Sequence, residues 1–400
     1  MPLSSAQLPL KGLRVLAVEQ FGAGPYGSMY LADLGAEVIK LENRKFGGDP
    51  SRQTGKHLMG DDDCAYFQAF NLNKKSVTLD LKHPDGQTLL HKLVQTADVV
   101  WNNLRGNQPA KLGLDYASLK DVKPSIICTH ISAYGRDNDR ADWPGYDYLM
   151  QAECGFLELT GEPDAPPARF GLSMIDFMTG SVAAAGTLAA LIGRERNGGT
   201  DVDVSLFDVA LHQLSYPGTW YMNHGEVTTR IARSAHPANT PVQLYRTKDA
   251  WIFIMCMTEK FWSLLVETLN VPHLADDERF ATMRARTANR DALTPLLDEA
   301  FGASTTEHWM SKLQTRVPVA PVYDLPQALD NPFVQDIGMR QTMPHRVVGE
   351  LTTLCNPIKL ASQRLPGQAC HGLGADNDAI YGNELDLAGD LSALKDDGVI

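Results

Sequence analysis

The sequence predicts an α/β fold built on a parallel sheet, followed by a second region of mixed strands and helices. Three observations carry this. Residues 13–19 (LRVLAVE) form a short apolar run between glycines, as a buried strand does. GAGPYGSMYLADLGA then reads as a tight turn entering a helix, with Pro25 at its first position and Gly35 near its end. EVIKLE, residues 37–42, supplies a second strand. Strand, glycine turn, helix and strand make a βαβ unit, whose strands lie parallel.

The pattern continues downstream. SVTLDL (76–81), a helix at Pro84–Thr96, ADVVWNN (97–103) and SIICTHIS (125–132) extend the sheet, and Asp201–Leu206 alternates as a further strand. From Asp208 to Ala238 the chain is aromatic and turn-rich without a clean period, which reads as a connection. Residues 242–257 form a hairpin, VQLYRT and WIFIMCM joined through KDA. Helices follow around 259–269, 288–302 and 305–314. The proline-punctuated stretch 317–332 reads as a return linker, and the tail from 333 holds short strands and loops.

Composition narrows the function. Over 400 residues, 44% hydrophobic and 21% charged content is that of an ordinary soluble globular chain. A formal net charge of −12 argues against nucleic acid, which needs a positive face. An anionic substrate must therefore be drawn in by local Lys and Arg. Six scattered cysteines without a CxxC predict reduced thiols in a cytoplasm, with no metal site among them. The start, MPLSSAQLPLKG, lacks the pattern of a signal peptide. The longest uncharged helical run, Phe177 to Gly193, is 17 residues and rich in Gly and Ala. That falls short of the roughly 20 apolar residues of a membrane span.

Two segments carry chemistry. Gly22-Ala23-Gly24-Pro25-Tyr26-Gly27 matches G-x-G-x-x-G between a strand and a helix, and Glu42 ends the next strand 20 residues after Gly22. These are the positional requirements of a dinucleotide fingerprint, so an NAD- or FAD-dependent oxidoreductase is the rival hypothesis. Against it, Pro25 removes an N–H where a pyrophosphate seeks donors. The second segment, Ser173 to Asp208, sets Asp176 at the mouth of a helix of small residues (Thr179, Gly180, Ser181, Ala183, Ala184, Ala185, Gly186). Capping explains an Asp there. It does not explain why the next two turns carry almost no side-chain bulk, which lets a backbone or a thin ligand come close.

Several blocks together resemble the family III CoA-transferases, the group of formyl-CoA:oxalate and carnitine CoA-transferases and related acyl-CoA racemases. They are residues 10–42, FNLNKKSVTLDLK (70–82), ADVVWNNLRGNQPAKLGLDY (97–116), HISAYG (130–135), GYDYLMQAECGFLELTG (145–161), the Asp176 segment, and HPANTPVQLYRTKDAWIFI (236–254). The resemblance implies a Rossmann-like large domain plus a smaller α+β domain, each chain threaded through its partner in an intertwined homodimer. On that pattern residues 1–207 begin the large, CoA-binding domain, 208–235 link, 236–316 form the small domain, 317–332 return, and 333–400 complete the large domain. A CoA thioester is the substrate and no tightly bound cofactor or metal is implied.

The resemblance also implies site residues. Asp176 aligns with the catalytic aspartate, which attacks the acyl-CoA carbonyl to form a mixed anhydride and then an enzyme thioester. An ionised carboxylate is needed there, so backbone N–H groups or a helix N-terminus must offset its burial. Phe21, Gly22 and Ala23 match the loop beside the thioester that steadies the carbonyl oxygen; Gly22 stands where the family often has Gln. Asn71, Leu72, Lys74 and Lys75 match a segment lining the CoA cleft. Asn103, Leu104 and Arg105 match an Asn-Phe-Arg stretch around pantetheine and adenosine, with Leu replacing the aromatic. Lys111 stands where Arg often faces CoA phosphates, and Arg44 lies one residue beyond another basic position, held here by Asn43.

A 2-methylacyl-CoA racemase of the same family is the alternative, but those enzymes carry a His before the Asp in the block matching Gly145-Tyr146-Asp147. A phenol, with an ordinary pKa of about 10, is a poor base. Tyr146 and Asp147 therefore read as substrate-orienting. The glycine-rich loop of the oxalate enzymes is absent from the matching stretch 233–239, where Arg233 and His236, with Arg230 nearby, offer cations for a distal acid group. The expected reaction takes succinyl-CoA as donor and a small dicarboxylate-like acid as acceptor: glutarate, malate, citramalate, itaconate, mesaconate or 3-sulfinopropionate.

Overall fold

The computed structural model describes residues 7–400. Six strands, β1 (Arg14–Val18), β2 (Glu37–Glu42), β3 (Lys74–Thr78), β4 (Val99–Asn102), β5 (Ile127–Ser132) and β6 (Thr200–Ser205), form one sheet in the order β3-β2-β1-β4-β5-β6. Every neighbouring pair is parallel. β1 pairs with β2 from Arg14 opposite Glu37 and with β4 from Val15 opposite Val99. This is a doubly wound α/β sheet, whose strand order reverses between β1 and β4.

Helices cover both faces. α1 (Ala23–Asp33) follows β1, and α2 (Ala65–Asn71) and α3 (Pro84–Thr96) flank β3. α3 begins where His83 accepts the Asp85 N–H, with Pro84 in the first turn. It buries Leu89, Leu90, Leu93 and Val94 in one core with Leu16, Ile39, Val77, Val100 and Cys128. Each such side chain contributes roughly 1.5–3 kcal/mol. Ile380, Tyr381, Val399 and Ile400 join the same core. The short α4 (Tyr116–Leu119), α5 (Asp147–Glu153) and α6 (Phe156–Leu159) precede the long α7 (Met174–Asn197), which is followed by α8 (Leu206–Gln213).

α1 and α7 pack on each other because both are stripped of bulk at the contact. A methyl on Gly27 would stand 2.5 Å from the Gly180 carbonyl oxygen, and one on Gly180 would stand 2.6 Å from that of Ala23. The small residues of α7 thus serve helix packing. Thr187 adds a hydroxyl contact to Thr129 of β5 at 2.7 Å. α7 is longer than the expected 17-residue run; at 24 residues it is long and apolar enough, by length and composition alone, to cross a membrane. In this fold its Thr179, Gly180, Ala183, Ala184 and Thr187 are buried within the protein.

The tail closes the outer edge of β3. Asp376 and Asn377 side chains accept the Ser76 and Thr78 N–H groups at 2.8 and 2.9 Å, and the Asp376 N–H returns to the Ser76 carbonyl at 3.0 Å.

The chain divides into two units. The first comprises residues up to Cys154, Gly171–Ser215 and Pro332–Ile400; the second comprises Gly155–Phe170 and Tyr216–Asn331. The division differs from the expected boundaries in three places. Residues 155–170 cluster with the second unit. The expected linker 208–235 instead carries most of α8 and the helix Ser215–His224. The expected return linker contains a strand, β9 (Val319–Pro321), which pairs with β8 (Trp251–Met255), itself paired with β7 (Val242–Arg246). Prolines hid this strand in the sequence, yet an edge strand tolerates them. The second unit has its own core of Tyr245, Ile252, Ile254, Trp262, Leu265, Leu297, Phe301 and Trp309.

Candidate active site

Where a parallel sheet reverses its strand order, the loops leaving two neighbouring strands part and open a crevice at their carboxyl ends. Here those loops are Glu19–Gly22 after β1 and Asn103–Arg105 after β4. Between them lies a cleft of about 460 Å³, lined by Phe21, Gly22, Ala23, Asn103, Leu104, Arg105, Tyr146 and Asp176 among others. Nine sequence-expected residues are thereby resolved into two groups: these eight line one cleft, and Asp147 stands beside it.

Asp176 is not the cap of α7. The helix starts at Met174, and Asp176 lies in its first turn. The acid that serves the helix start is Asp147, whose Oδ2 accepts the Asp176 N–H at 2.9 Å. Asp147 is 3% exposed, and Gln151 donates to its Oδ1 at 2.5 Å. An acid at a helix start is stabilised by the free N–H groups there. Burial, and then the charge of Asp147, push the Asp176 carboxyl up to about 7. It is therefore shared between its ionised and protonated forms near neutrality.

The loop after β1 leans on this carboxylate. A methyl on Gly22 would overlap Asp176 Oδ2, so only glycine leaves the side chain where it is. Asn103 clamps the loop by accepting the Gln20 N–H at 2.9 Å and donating to the Gln20 carbonyl at 2.7 Å. Phe21 has a left-handed backbone, φ 59°, and its N–H goes to Asp49 at 3.3 Å. The Phe21 N–H is thus engaged within the protein. Gly22 and Ala23 N–H groups have no acceptor among the described residues. Tyr146, 60% exposed, meets Phe21 edge to face at 6.3 Å.

Arg44 and Lys111 are exposed in short 3₁₀ turns, Arg44–Phe46 after β2 and Ala110–Leu112 beyond β4. Arg44, like Arg105, belongs to a loop leaving a strand's carboxyl end. Four other expected CoA contacts lie elsewhere. Asn71 is buried, donating to the Phe67 carbonyl and accepting from Lys74. Leu72 packs with Met59, Met343 and Leu351. Lys74 is 1% exposed and its ammonium is occupied by Glu19 at 2.7 Å and three further oxygens. Lys75 pairs with Glu37 at 2.5 Å, at the opposite, amino end of the strands. None of the four lines the cleft.

Arg230, Arg233 and His236 belong to the second unit and are not the free cations expected. Arg230 donates to the Ala165 carbonyl at 2.7 Å and pairs with Glu158. Arg233 pairs with Asp298 at 2.5 Å. His236 stacks on Tyr216, and burial, then the Arg290 charge, lower its pKa, favouring the neutral ring.

Two residues escaped the sequence reading. Tyr66 is 38% exposed, and burial followed by the charges of Asp176 and Asp49 raise its hydroxyl pKa. Tyr148, 44% exposed, also acts on Tyr66. The aromatic stretch Ala65–Phe70 was the available signal.

The dinucleotide look-alike is also corrected. Glu42 is buried in an ion pair with Arg52 at 2.6 Å and accepts from Ser76, so no carboxylate is free for a ribose. Gly24 and Gly27 make room for Asn103 and Gly180 instead.

Residues 10–377 match the family model described as CoA-transferase family III. The chain is 34% identical to a succinate–glutarate CoA-transferase of Agrobacterium fabrum, covering 83% of this chain and 84% of that protein. It is 33% identical to an acetyl-CoA:oxalate CoA-transferase of Acetobacter aceti, covering 81% and 83%. Among solved structures, a CaiB/BaiF family protein from Brucella suis superposes with a TM-score of 0.79 at 34% identity, covering 93% of this chain and 98% of that one. A CoA thioester is accordingly the substrate, and the chain belongs to CoA-transferase family III.

Proposed function

We propose that this CoA-transferase moves CoA from succinyl-CoA to a small dicarboxylate-like acid, glutarate foremost, through intermediates on Asp176. One observation carries the reading: Asp176 is a carboxylate of raised basicity beside two unpaired backbone N–H groups in a cleft at the strand reversal. A carboxylate oxygen attacks the thioester carbonyl, the C–S bond breaks, and CoA leaves as thiolate. The thiolate attacks the aspartyl carbonyl of the mixed anhydride, releasing succinate and leaving an aspartyl–CoA thioester. The acceptor carboxylate then attacks that thioester, and CoA thiolate returns to the acceptor's acyl carbon, freeing Asp176. The four steps pass the acyl activation through anhydride and thioester bonds, so several small barriers replace a large one. In this reading the Gly22 and Ala23 N–H groups receive the oxyanion.

The dicarboxylate choice is supported by the glutarate and oxalate relatives, both of which take diacids by name. Arg44, Arg105 and Lys111 are the cations for CoA phosphates, against a net charge of −12. The working form is read as an intertwined homodimer: α7 leaves Val182 and Ile192 40% and 81% exposed, a face suited to a second chain. The six unpaired cysteines suit the reducing cytoplasm.

The test incubates enzyme with succinyl-CoA and carboxylate-¹⁸O glutarate, malate, citramalate, itaconate, mesaconate and 3-sulfinopropionate. Label should pass from the accepted acid to the Asp176 peptide, and Asp176→Asn should transfer nothing. Full exchange by Asp176→Asn ends the reading.

A further inference from the structure

Beneath the loop after β1 lies a pair of buried ions with no part in the chemistry above. Lys40 Nζ stands 2.8 Å from Asp49 Oδ2, and neither side chain has any solvent exposure. Such a pair rarely stabilises a fold more than well-packed apolar residues would. What sets this one apart is where its spare hydrogen bonds go. Lys40 Nζ donates to the Glu19 carbonyl at 3.0 Å. Asp49 Oδ1 accepts the Phe21 N–H at 3.3 Å and the Ser51 N–H at 2.9 Å. Between them, Gln20 is held on both its N–H and its carbonyl by Asn103. Three consecutive backbone units are therefore fixed from two sides.

The residue being held resists. Phe21 sits at φ 59°, a region that bulky L-residues avoid. Strained backbone persists only where its surroundings over-determine it, and it gathers at functional sites. The next residue, Gly22, bears directly on Asp176 Oδ2. If Phe21 relaxed, Gly22 would swing, and the two free N–H groups would lose their aim.

We propose that Asp49, seated on Lys40, is a positioning residue for CoA transfer: it holds Phe21 in its left-handed turn so that the Gly22 and Ala23 N–H groups face the reacting carbonyl above Asp176. This rests on the reading of the cleft given above. Asp49 touches no substrate and acts through the loop alone.

The experiment compares Asp49→Ala and Asp49→Asn with the unmodified enzyme in succinyl-CoA/glutarate exchange. A misplacement of about 1 Å costs on the order of 100-fold in rate, so Asp49→Ala should lose roughly that in kcat while its KM for succinyl-CoA stays within about threefold. Asp49→Asn keeps an acceptor for Phe21 and should lose less. A folded Asp49→Ala with unchanged kcat overturns the proposal. Hydrogen exchange on unmodified enzyme gives a reading that needs no variant. The Phe21 amide should exchange slowly, and the Gly22 and Ala23 amides fast until succinyl-CoA is added. Rapid exchange at Phe21 overturns the proposal even where the variants do not fold. Asp176→Asn run in parallel separates the two claims. Exchange by that variant ends the reading of the cleft, whereas an active Asp49→Ala beside an inactive Asp176→Asn ends only the positioning role.

Discussion

Replacing Asp147 by Asn should carry the acid limb of catalysis to lower pH. Asp147 Oδ2 lies 2.9 Å from the Asp176 backbone nitrogen. Unit charges a few ångströms apart interact by up to about 4 kcal/mol at an effective dielectric of ~20. The cleft is open to water, and screening reduces this to about 1 kcal/mol. About 1 kcal/mol of proton affinity moves a titration by somewhat less than one pH unit. The sign follows from the nucleophile's need to be ionised. With its carboxyl pushed up to about 7, wild-type Asp176 gains activity as pH rises through neutrality. Without the neighbouring charge, the same rise comes earlier. A less basic carboxylate is also a weaker nucleophile, so the plateau should fall a few-fold. Asparagine keeps an acceptor for the Asp176 N–H, with the Gln151 amide turning to suit, so the helix start is preserved. The assay is kcat/KM for succinyl-CoA from about pH 5.5 to about pH 9, which reports the free enzyme's groups. An acid limb that stays put or moves upward would refute the coupling between the two acids.

Asp176→Asn should abolish transfer, by on the order of 10³-fold or more, and yet melt higher than wild type at pH 8. The folded carboxyl binds its proton more tightly than the unfolded one, so stability is lost as pH rises from about 4 to about 7 and stays lost above; the ceiling is about 4 kcal/mol, and solvent in the cleft brings it to about 1–2 kcal/mol. Thermal unfolding at pH 8 checks this. Gly180→Ala should destabilise by about 1–3 kcal/mol in urea unfolding, because its methyl meets backbone of α1 that has no room to yield. Asp33, buried between the amides of Asn73 and Asn356 with its carboxyl raised to about 6 by burial, should make stability fall as pH rises from about 4 to about 6; Asp33→Asn should flatten that slope in melts taken across the range.

The βαβ core was legible because its signals are local. EVIKLE and the helix Pro84–Thr96 occupy the very residues their patterns suggest. Asp176 was legible through its segment. What the sequence hid was direction along a strand. Asn71, Leu72, Lys74 and Lys75 were assigned to CoA, but they lie at the amino end of β3, whereas a parallel sheet offers its ligand site at the carboxyl ends. Lys74 was read as a cation for CoA because nothing local announces a partner; Glu19 is far away in the chain and meets it only across the sheet. Asp147 as the acid serving α7 is equally non-local, as are Asp49 and Phe21. Arg230 and Arg233 looked free for the same reason, their acidic partners being distant in sequence.

The outer strand of an open sheet carries a row of unpaired amides that invites another molecule's strand to add on. In this protein Asp376 and Asn377 stand where a seventh strand would lie and use side chains to satisfy the Ser76 and Thr78 amides. The tail thus works as a guard against intermolecular growth, independently of catalysis. Replacing Asp376 and Asn377 together by Ala would bare that row while leaving the core side chains of the tail in place, and light scattering should register clumping even at concentrations where the intact protein stays dispersed.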